Sequence, residues 1–243
     1  PMNREELRLA VEKPAELQGA RFEPGLVERI LDEVGEQPGN LPLLEFALTL
    51  LWDQADAGGM LSHSAYEQIG QVKGALTRYA EGIYNDLRLQ DQNAARQIFM
   101  QLLQPGSGTE DTRRVARRDE ISRENWSLVQ HLADKRLVVT NRDAGGLETV
   151  EIIHEALVQH WDRIKEWMEA DRAFRIWQET LRASIHQWEA AGRDEGGLLR
   201  GVPMVQAESW LAERGSELSD AEKSFIQAGV ALREQKQFER QQQ

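Results

Sequence analysis

The stretch 147–161 reads Leu147-Glu148-Thr149-Val150-Glu151-Ile152-Ile153-His154-Glu155-Ala156-Leu157-Val158-Gln159-His160-Trp161 and changes its hydrophobic period in the middle. Up to Ile152 the apolar residues recur with a period near two, which is typical of a strand. From Ile153 they recur at steps of three to four residues, which is typical of a helix. His154 lies where the two patterns meet, so two rigid elements orient its side chain, as a ligand-sensing group requires.

A second run, Leu137-Val138-Val139-Thr140-Asn141, precedes this stretch and is separated from it by Arg142-Asp143-Ala144-Gly145-Gly146. Two such runs around a Gly-rich connection predict a β-hairpin with a loop longer than two residues. Ahead of the hairpin, the apolar spacing predicts a helix over 125–135 and a brief strand within 113–118. The predicted helix has three inward residues, Trp126, Val129 and Leu132.

Helices followed by a hairpin, with a short strand ahead of them, predict a winged-helix domain over residues 62–160. Ser64 with Glu67 predicts a capping box for its first helix. The wing is the β-hairpin described above, and the fold as a whole is predicted to be mainly α.

The sequence of residues 1–57 predicts a small helical domain ahead of the winged-helix domain. Asn3 with Glu6 forms a capping box for its first helix, which we expect to end near Pro14. A second helix covers roughly 24–34, and a third, about 41–55, has Pro42 in its first turn, where a missing N–H costs nothing.

The sequence of residues 161–243 predicts a run of helices, which we call the helical arm. Apolar residues keep the three-to-four spacing from Trp161 to Trp188, which leaves open whether this run is one long helix or two. We interpret its tryptophans as packing between helices rather than as a ligand cage. Ser219 with Glu222 predicts a capping box for the last helix.

Composition narrows the class of protein. The chain of 243 residues has a formal net charge of -12, which argues against affinity of the whole chain for nucleic acid or an anionic membrane. It has no cysteine, which excludes disulfides and thiolate metal sites. No apolar run approaches the ~20 residues of a membrane span. We expect a cytoplasmic protein without membrane contact, and a fragment of a longer chain.

Motifs of catalysis are missing from the sequence. It contains no G-x-x-x-x-G-K-[ST], no H-E-x-x-H and no G-x-S-x-G. His154 and His160 lie on opposite faces of a helix, so they are not a zinc pair. We therefore predict no catalytic residue and no metal ligand, and expect that this chain alone is not an enzyme.

Two motifs resemble those of the STAND class of signalling ATPases, which includes plant resistance proteins and apoptotic ATPases. The run Gly39-Asn40-Leu41-Pro42-Leu43-Leu44-Glu45-Phe46-Ala47-Leu48 resembles the GLPLAL motif, and Ile153-His154-Glu155-Ala156-Leu157 resembles the MHD motif. Together with Arg117-Arg118-Asp119-Glu120-Ile121 and Arg136-Leu137-Val138-Val139, they look like bacterial, including cyanobacterial, novel-STAND proteins linked to WD40 repeats. The chain departs from the family pattern at Asn40, Ile153 and Glu155.

The resemblance implies a nucleotide switch. It implies that Pro42 packs against the adenine of ATP or ADP and that His154 hydrogen-bonds the β-phosphate of ADP, with Leu41 and Glu155 as candidate supports. It implies an upstream P-loop NTPase domain that shares the nucleotide and alone holds Mg²⁺. A downstream repeat sensor, expected to be WD40, is the other implied partner, and self-oligomerisation is left open.

Other interpretations of the same residues stay open at this point. His154 alone is typical of a cap or core histidine bonded to backbone carbonyls, and Pro42 of a helix-start proline. Four arginines, Arg113, Arg114, Arg117 and Arg118, are either phosphate contacts of a winged-helix DNA-binding regulator or an ion-pair surface. Because acidic residues interleave with them, we expect no nucleic-acid partner. An interaction scaffold without nucleotide is the third alternative.

Overall fold

The computed structural model describes residues 2–35, 41–106 and 108–242, and helices dominate them. The helices are α1 (Arg4–Leu17), α2 (Leu26–Val34), α3 (Leu41–Asp53), α4 (His63–Ile69), α5 (Gln71–Asp86), α6 (Leu89–Gln101), α7 (Trp126–Asp134), α8 (Glu155–His160), α9 (Asp162–Ala190), α10 (Val202–Arg214) and α11 (Asp220–Gln241). The strands are β1 (Arg21–Phe22), β2 (Met60–Leu61), β3 (Leu103–Gln104), β4 (Thr112–Arg113), β5 (Ala116–Arg117), β6 (Val138–Arg142) and β7 (Glu148–Ile152). The prediction of a mainly α fold is confirmed.

The chain forms two compact units, neither of which is continuous in sequence. The first unit consists of Pro1–Arg88 with His154–Asp162, and the second of Leu89–Ile153 with Arg163–Gln243. The domain limits predicted from the sequence, at residues 57, 62 and 160, remain predictions.

The first unit is built around α5, which packs against α2, α3, α4 and α8. Its core is formed by apolar side chains of α2 and α3, among them the fully buried Leu26, Ile30 and Leu51. Strand β1 pairs in parallel with β2, so that the chain entering α2 lies beside the chain entering α4.

Two boundary predictions in the first unit were wrong, although the predicted capping box of Asn3 and Glu6 is confirmed. Helix α1 does not end near Pro14 but continues to Leu17. Pro14 deprives the carbonyl of Ala10 of its helical donor, and Ala10 is exposed, so the loss is less costly here than in a buried helix. The cap of α4 is also misplaced by two residues, because Ser62 and not Ser64 accepts the amide of Ala65, at 3.1 Å.

The second unit contains the predicted β-hairpin. Strands β6 and β7 are antiparallel, with register from Val138↔Ile152 to Arg142↔Glu148. The carboxylate of Asp143 closes the loop between them by accepting the amides of Gly145 and Leu147 at 2.9 and 3.0 Å. The hairpin prediction is therefore confirmed.

A third strand completes the sheet, whose order is β5-β7-β6. The brief strand predicted within 113–118 is divided, since β4 pairs with β3 and β5 pairs with β7. Helix α7 buries Trp126, Val129 and Leu132, as predicted.

The arm begins with one helix, α9, which extends over 29 residues. The alternative of two helices meeting near residue 170 is wrong. Phe174 and Trp177 of α9 pack on Trp210 of α10, with ring centroids 5.2 and 6.0 Å apart, so these aromatic residues serve packing as predicted. The predicted capping box of Ser219 and Glu222 opens α11.

Among the described residues, no helix combines the length and the apolar content that crossing a membrane requires.

Candidate functional site

His154 lies at a junction of the fold. The chain leaves the second unit at Ile153 and enters the first at His154. The half-buried ring is the N-cap of α8, and its Nδ1 accepts the backbone amide of Ala156 at 3.1 Å. Because Nδ1 is an acceptor, the proton of the neutral imidazole is on Nε2, which makes Nε2 the donor of the ring. His154 is thus the N-cap residue of α8, which agrees with the interpretation of this histidine as a helix cap.

The helix that follows His154 is fixed by its packing on α5. Ala156, Leu157 and Val158 are buried. At the C-terminal end, the indole Nε1 of Trp161 donates to the carboxylate of Glu81 at 2.7 Å. The rings of Trp161 and Tyr84 meet edge to face with centroids 6.3 Å apart. Helix α8 is therefore held at its cap and at its end.

The strand that precedes His154 is fixed within the second unit. The amide of Ile153 donates to the carbonyl of Leu137 at 3.1 Å. The guanidinium of Arg113 donates to the carbonyl of Ile152 at 3.1 Å and pairs with Glu151 at 3.4 Å. The backbone that leads into His154 is therefore held in place by contacts within the second unit.

Pro42 lies in the first turn of α3, as predicted, and its ring is exposed. Leu41 beside it is half-buried, whereas Gly39 and Asn40 of the same motif lie outside the described residues. Helix α3 packs on α5, where the rings of Phe46 and Tyr79 lie edge to face at 5.1 Å.

Pro42 and His154 therefore belong to the same unit. Each lies at the N-terminus of a helix that packs on α5. Glu155, the first residue of α8, is half-buried. The roles predicted for these residues and for Leu41 remain predictions.

A comparison with protein families decides the class of the chain. Residues 1–196 match the family described as novel STAND NTPase 1. The chain belongs to this family. Comparisons with curated proteins and with solved structures give no match. The part matched to novel STAND NTPase 1 includes both motifs and extends past the end of α9, while α10 and α11 lie beyond it.

The four arginines before the hairpin of this STAND NTPase chain all have acidic partners in the second unit. Arg114 pairs with Glu120, and Arg118 pairs with Glu148 while its guanidinium lies 4.8 Å from the centre of the Trp126 ring. Arg117 pairs with Asp143 at 3.6 Å, and Arg113 pairs with Glu151 as described above. These contacts favour the ion-pair surface over the phosphate contacts of a DNA-binding regulator.

A buried polar network on α9 was not predicted from the sequence. Arg175 and Gln178 are 2% and 0% exposed, and Glu222 of α11 is 2% exposed. Arg175 donates to Gln178 at 2.8 Å and to Glu217 at 2.7 Å, and Gln178 donates to Glu222 at 3.2 Å. Burial lowers the pKa of Arg175 to about 10, and the charge of Glu217 opposes that effect. Arg175 and Gln178 recur at the spacing of the apolar face of α9. This spacing was the sequence signal from which their burial could have been predicted.

Arg182 extends the network to α6. It donates to Glu222 at 2.9 Å and to the side-chain oxygen of Gln101 at 2.5 Å. Gln101 donates in turn to the backbone carbonyl of Glu217 at 2.9 Å. Charge-assisted hydrogen bonds thus join α6, α9 and the start of α11 into one assembly.

A bidentate ion pair anchors α9 to the loop before β4. Arg172 donates to both carboxylate oxygens of Asp111 at 2.9 Å each. Burial of Asp111 disfavours its charged form, but the hydrogen bonds from Arg172 and the amide of Gly106 outweigh that effect, so the pKa of Asp111 lies below its ordinary value.

Proposed function

We propose that this chain is the regulatory part of a STAND signalling ATPase. Residues 1–57 form its small helical domain, 62–160 a winged-helix domain with β6 and β7 as the wing, and 161–243 a helical arm. Membership of the novel STAND NTPase 1 family supports an NTPase-associated role. In this proposal the chain hydrolyses nothing alone, because the P-loop and Mg²⁺ belong to an upstream domain. The arm leads to a WD40 sensor, and the protein acts in the cytoplasm.

The nucleotide site of the proposal uses His154 and Pro42. His154 donates from Nε2 to the β-phosphate of ADP, and the exposed ring of Pro42 packs against the adenine. The hydrogen bond from Ala156 to Nδ1 of His154 carries this proposal, since it selects the tautomer with a donor at Nε2. A bound nucleotide would supply the negatively charged phosphate that accepts the hydrogen bond from Nε2 of His154.

The switch follows from differential binding. A ligand shifts a conformational equilibrium only by the difference between its affinities for the two states. A charge-assisted hydrogen bond made in one state only, of ~1.5–3 kcal/mol, shifts populations roughly 10- to 150-fold. Because His154 directly follows Ile153 of the second unit, a change of backbone at this junction displaces the ring from the phosphate.

The arm transmits the change in this proposal. Arg182 binds both Gln101 of α6 and Glu222 of α11, so that α9 and α11 follow α6 as one body. A movement of the second unit is thereby carried along the 29 residues of α9.

Release of a fluorescent ADP analogue from the full polypeptide tests the proposal. We expect release to be roughly 10- to 150-fold faster from His154→Ala, in line with the loss of one charge-assisted bond. His160→Ala is the matched control, because His160 is an exposed histidine at the other end of the same helix. Equal release from the His154→Ala protein and the unaltered protein would show that His154 does not hold the phosphate.

A further inference from the structure

A groove of about 1030 Å³ lies between α10 and α11, and one face of α10 forms its first wall. The wall consists of Val202, Val205, Gln206, Ser209 and Glu213, whose spacing places them on one side of the helix. Val202 is 80% exposed and Val205 is 63% exposed. The groove therefore presents an apolar strip to solvent at the start of α10.

One face of α11 forms the opposite wall. Its residues again recur at steps of three and four: Gly229, Leu232, Arg233, Lys236, Gln237 and Arg240. A Cβ at Gly229 would lie 2.9 Å from the sulfur of Met204, so glycine permits the close approach of the two helices here. The two helices thus leave an open channel above a closely packed floor.

The dimensions of the walls fit a helix. Each wall extends over 12 residues, from Val202 to Glu213 and from Gly229 to Arg240. At a rise of 1.5 Å per residue this corresponds to roughly 17 Å, or about three helical turns. Two helices that present parallel strips of side chains form the kind of groove into which an amphipathic helix docks.

The charge of the groove selects the partner. Its lining contains four basic residues, Arg200, Arg233, Lys236 and Arg240, and one acidic residue, Glu213, although the chain has a net charge of -12. Arg233 donates two hydrogen bonds of 2.6 and 2.7 Å to Glu208, which neutralises its charge. The basic excess of the groove therefore comes from Arg200, Lys236 and Arg240. A second copy of this chain would bring the same basic wall, whereas an acidic segment is complementary.

We propose that the groove between α10 and α11 binds an acidic amphipathic helix of a partner protein. Its apolar strip faces Val202 and Val205, and its acidic side chains face Lys236 and Arg240. The groove is built from helices beyond the part matched to novel STAND NTPase 1, and the proposal does not depend on the nucleotide site.

Fluorescence anisotropy with a labelled helical peptide of three to five turns tests this proposal. The probe carries a leucine strip flanked by glutamates, and a second peptide has lysine in place of every glutamate. We expect the acidic peptide to bind at micromolar concentration, and the lysine peptide to bind at least about tenfold more weakly. Failure of the acidic peptide to bind, or equal binding of both peptides, would overturn the proposal.

Charge reversal tests the position of the site. Lys236→Glu/Arg240→Glu is expected to weaken the acidic peptide about tenfold and to strengthen the lysine peptide, because attraction becomes repulsion. Lys135→Glu/Arg142→Glu makes the same change of net charge on exposed residues outside the groove, and is expected to alter neither affinity by more than about twofold. Equal effects of the two double variants would show that the peptide responds to the net charge of the chain and not to the groove, and would overturn the proposal.

The oligomeric state of the chain tests whether a second copy occupies the groove instead of a partner protein. Sedimentation of the chain alone is expected to show no association through the groove. If the chain formed dimers that Val205→Glu dissociated, a second copy would be the occupant, and the acidic partner would be wrong.

Discussion

The indole Nε1 of Trp161 donates a hydrogen bond to the carboxylate of Glu81 at 2.7 Å. This bond joins the residue that ends α8 to the middle of α5, against which α3 also packs. It therefore links the segment that contains His154 to the helix that carries the core of the first unit.

Trp161→Phe removes this donor and retains most of the aromatic surface. We expect a loss of about 1–3 kcal/mol in the free energy of unfolding, since the acceptor is charged. Trp188→Phe is the control, because within the described part of the chain the Nε1 of Trp188 is buried without a hydrogen-bond partner. Urea denaturation of both variants measures the difference, and an equal loss would assign the effect to packing alone.

Glu222→Ala is expected to destabilise the second unit by about 3–5 kcal/mol, because it leaves the charge of the largely buried Arg182 without this partner. The matched variant is Glu208→Ala, which removes the partner of Arg233 on the surface. Exposed ion pairs contribute little, so the Glu208 variant should unfold close to the unaltered chain. Similar midpoints for the two variants would contradict the importance of burial.

Asp111→Asn is expected to show a pH-dependent loss of stability. A carboxyl with a lowered pKa in the folded state contributes stability above its unfolded value of about 3.9, and this contribution disappears as the pH falls through the folded value. The variant should therefore lose about 1–3 kcal/mol at pH 7, and the difference should shrink below about pH 4. Denaturation curves at several pH values measure it, and a difference independent of pH would contradict the ion pair with Arg172.

His154→Asn separates capping from phosphate binding. Asparagine is a favoured N-cap, so this variant should keep the stability of α8, whereas His154→Ala should lose about 1 kcal/mol. Thermal unfolding of the isolated chain measures the cap. If ADP release in the full polypeptide followed stability rather than the imidazole, His154→Asn would retain ADP normally.

Gly70→Ala is expected to destabilise the turn between α4 and α5. Gly70 has φ +94°, and a Cβ there would lie 2.7 Å from the Cδ of Arg78, whose guanidinium binds the carbonyls of Glu67 and Gln68. We expect a cost above about 1 kcal/mol. Gly74→Ala has open space around its Cβ within α5 and should instead stabilise by about 0.5–1 kcal/mol. The opposite order of midpoints would contradict this explanation.

Much of the secondary structure could be predicted, because its causes are local. The hairpin, the inward face of α7 and the capping boxes of α1 and α11 follow from period and from residues three positions apart. Pro14 misled the prediction because the cost of an interior proline depends on the surroundings of the carbonyl four residues earlier, and the exposed position of Ala10 is a tertiary property. The single helix α9 was undecided because its spacing fits both alternatives.

The buried network and the candidate nucleotide contacts were harder to predict, for two different reasons. Arg175 binds Glu217 and Gln178 binds Glu222, across 42 and 44 positions of sequence. The period of α9 does not indicate such distant partners. The nucleotide contacts of Pro42 and His154 were predicted only through resemblance to family motifs and stay predictions, since no elementary rule assigns such a contact to a helix-start proline or a cap histidine. What the structure adds is their common attachment to α5.

Residues 154–162 belong to the first unit although they follow much of the second unit in sequence. This order restricts where the chain can be truncated and where its gene can recombine. A polypeptide cut after Arg88 would lack α8 and expose the side of α5 that α8 covers. A polypeptide begun at Leu89 would carry α8 without the surface on which it folds. A single crossover therefore cannot exchange one unit and preserve the other, because α8 would be separated from the face of α5 on which it packs.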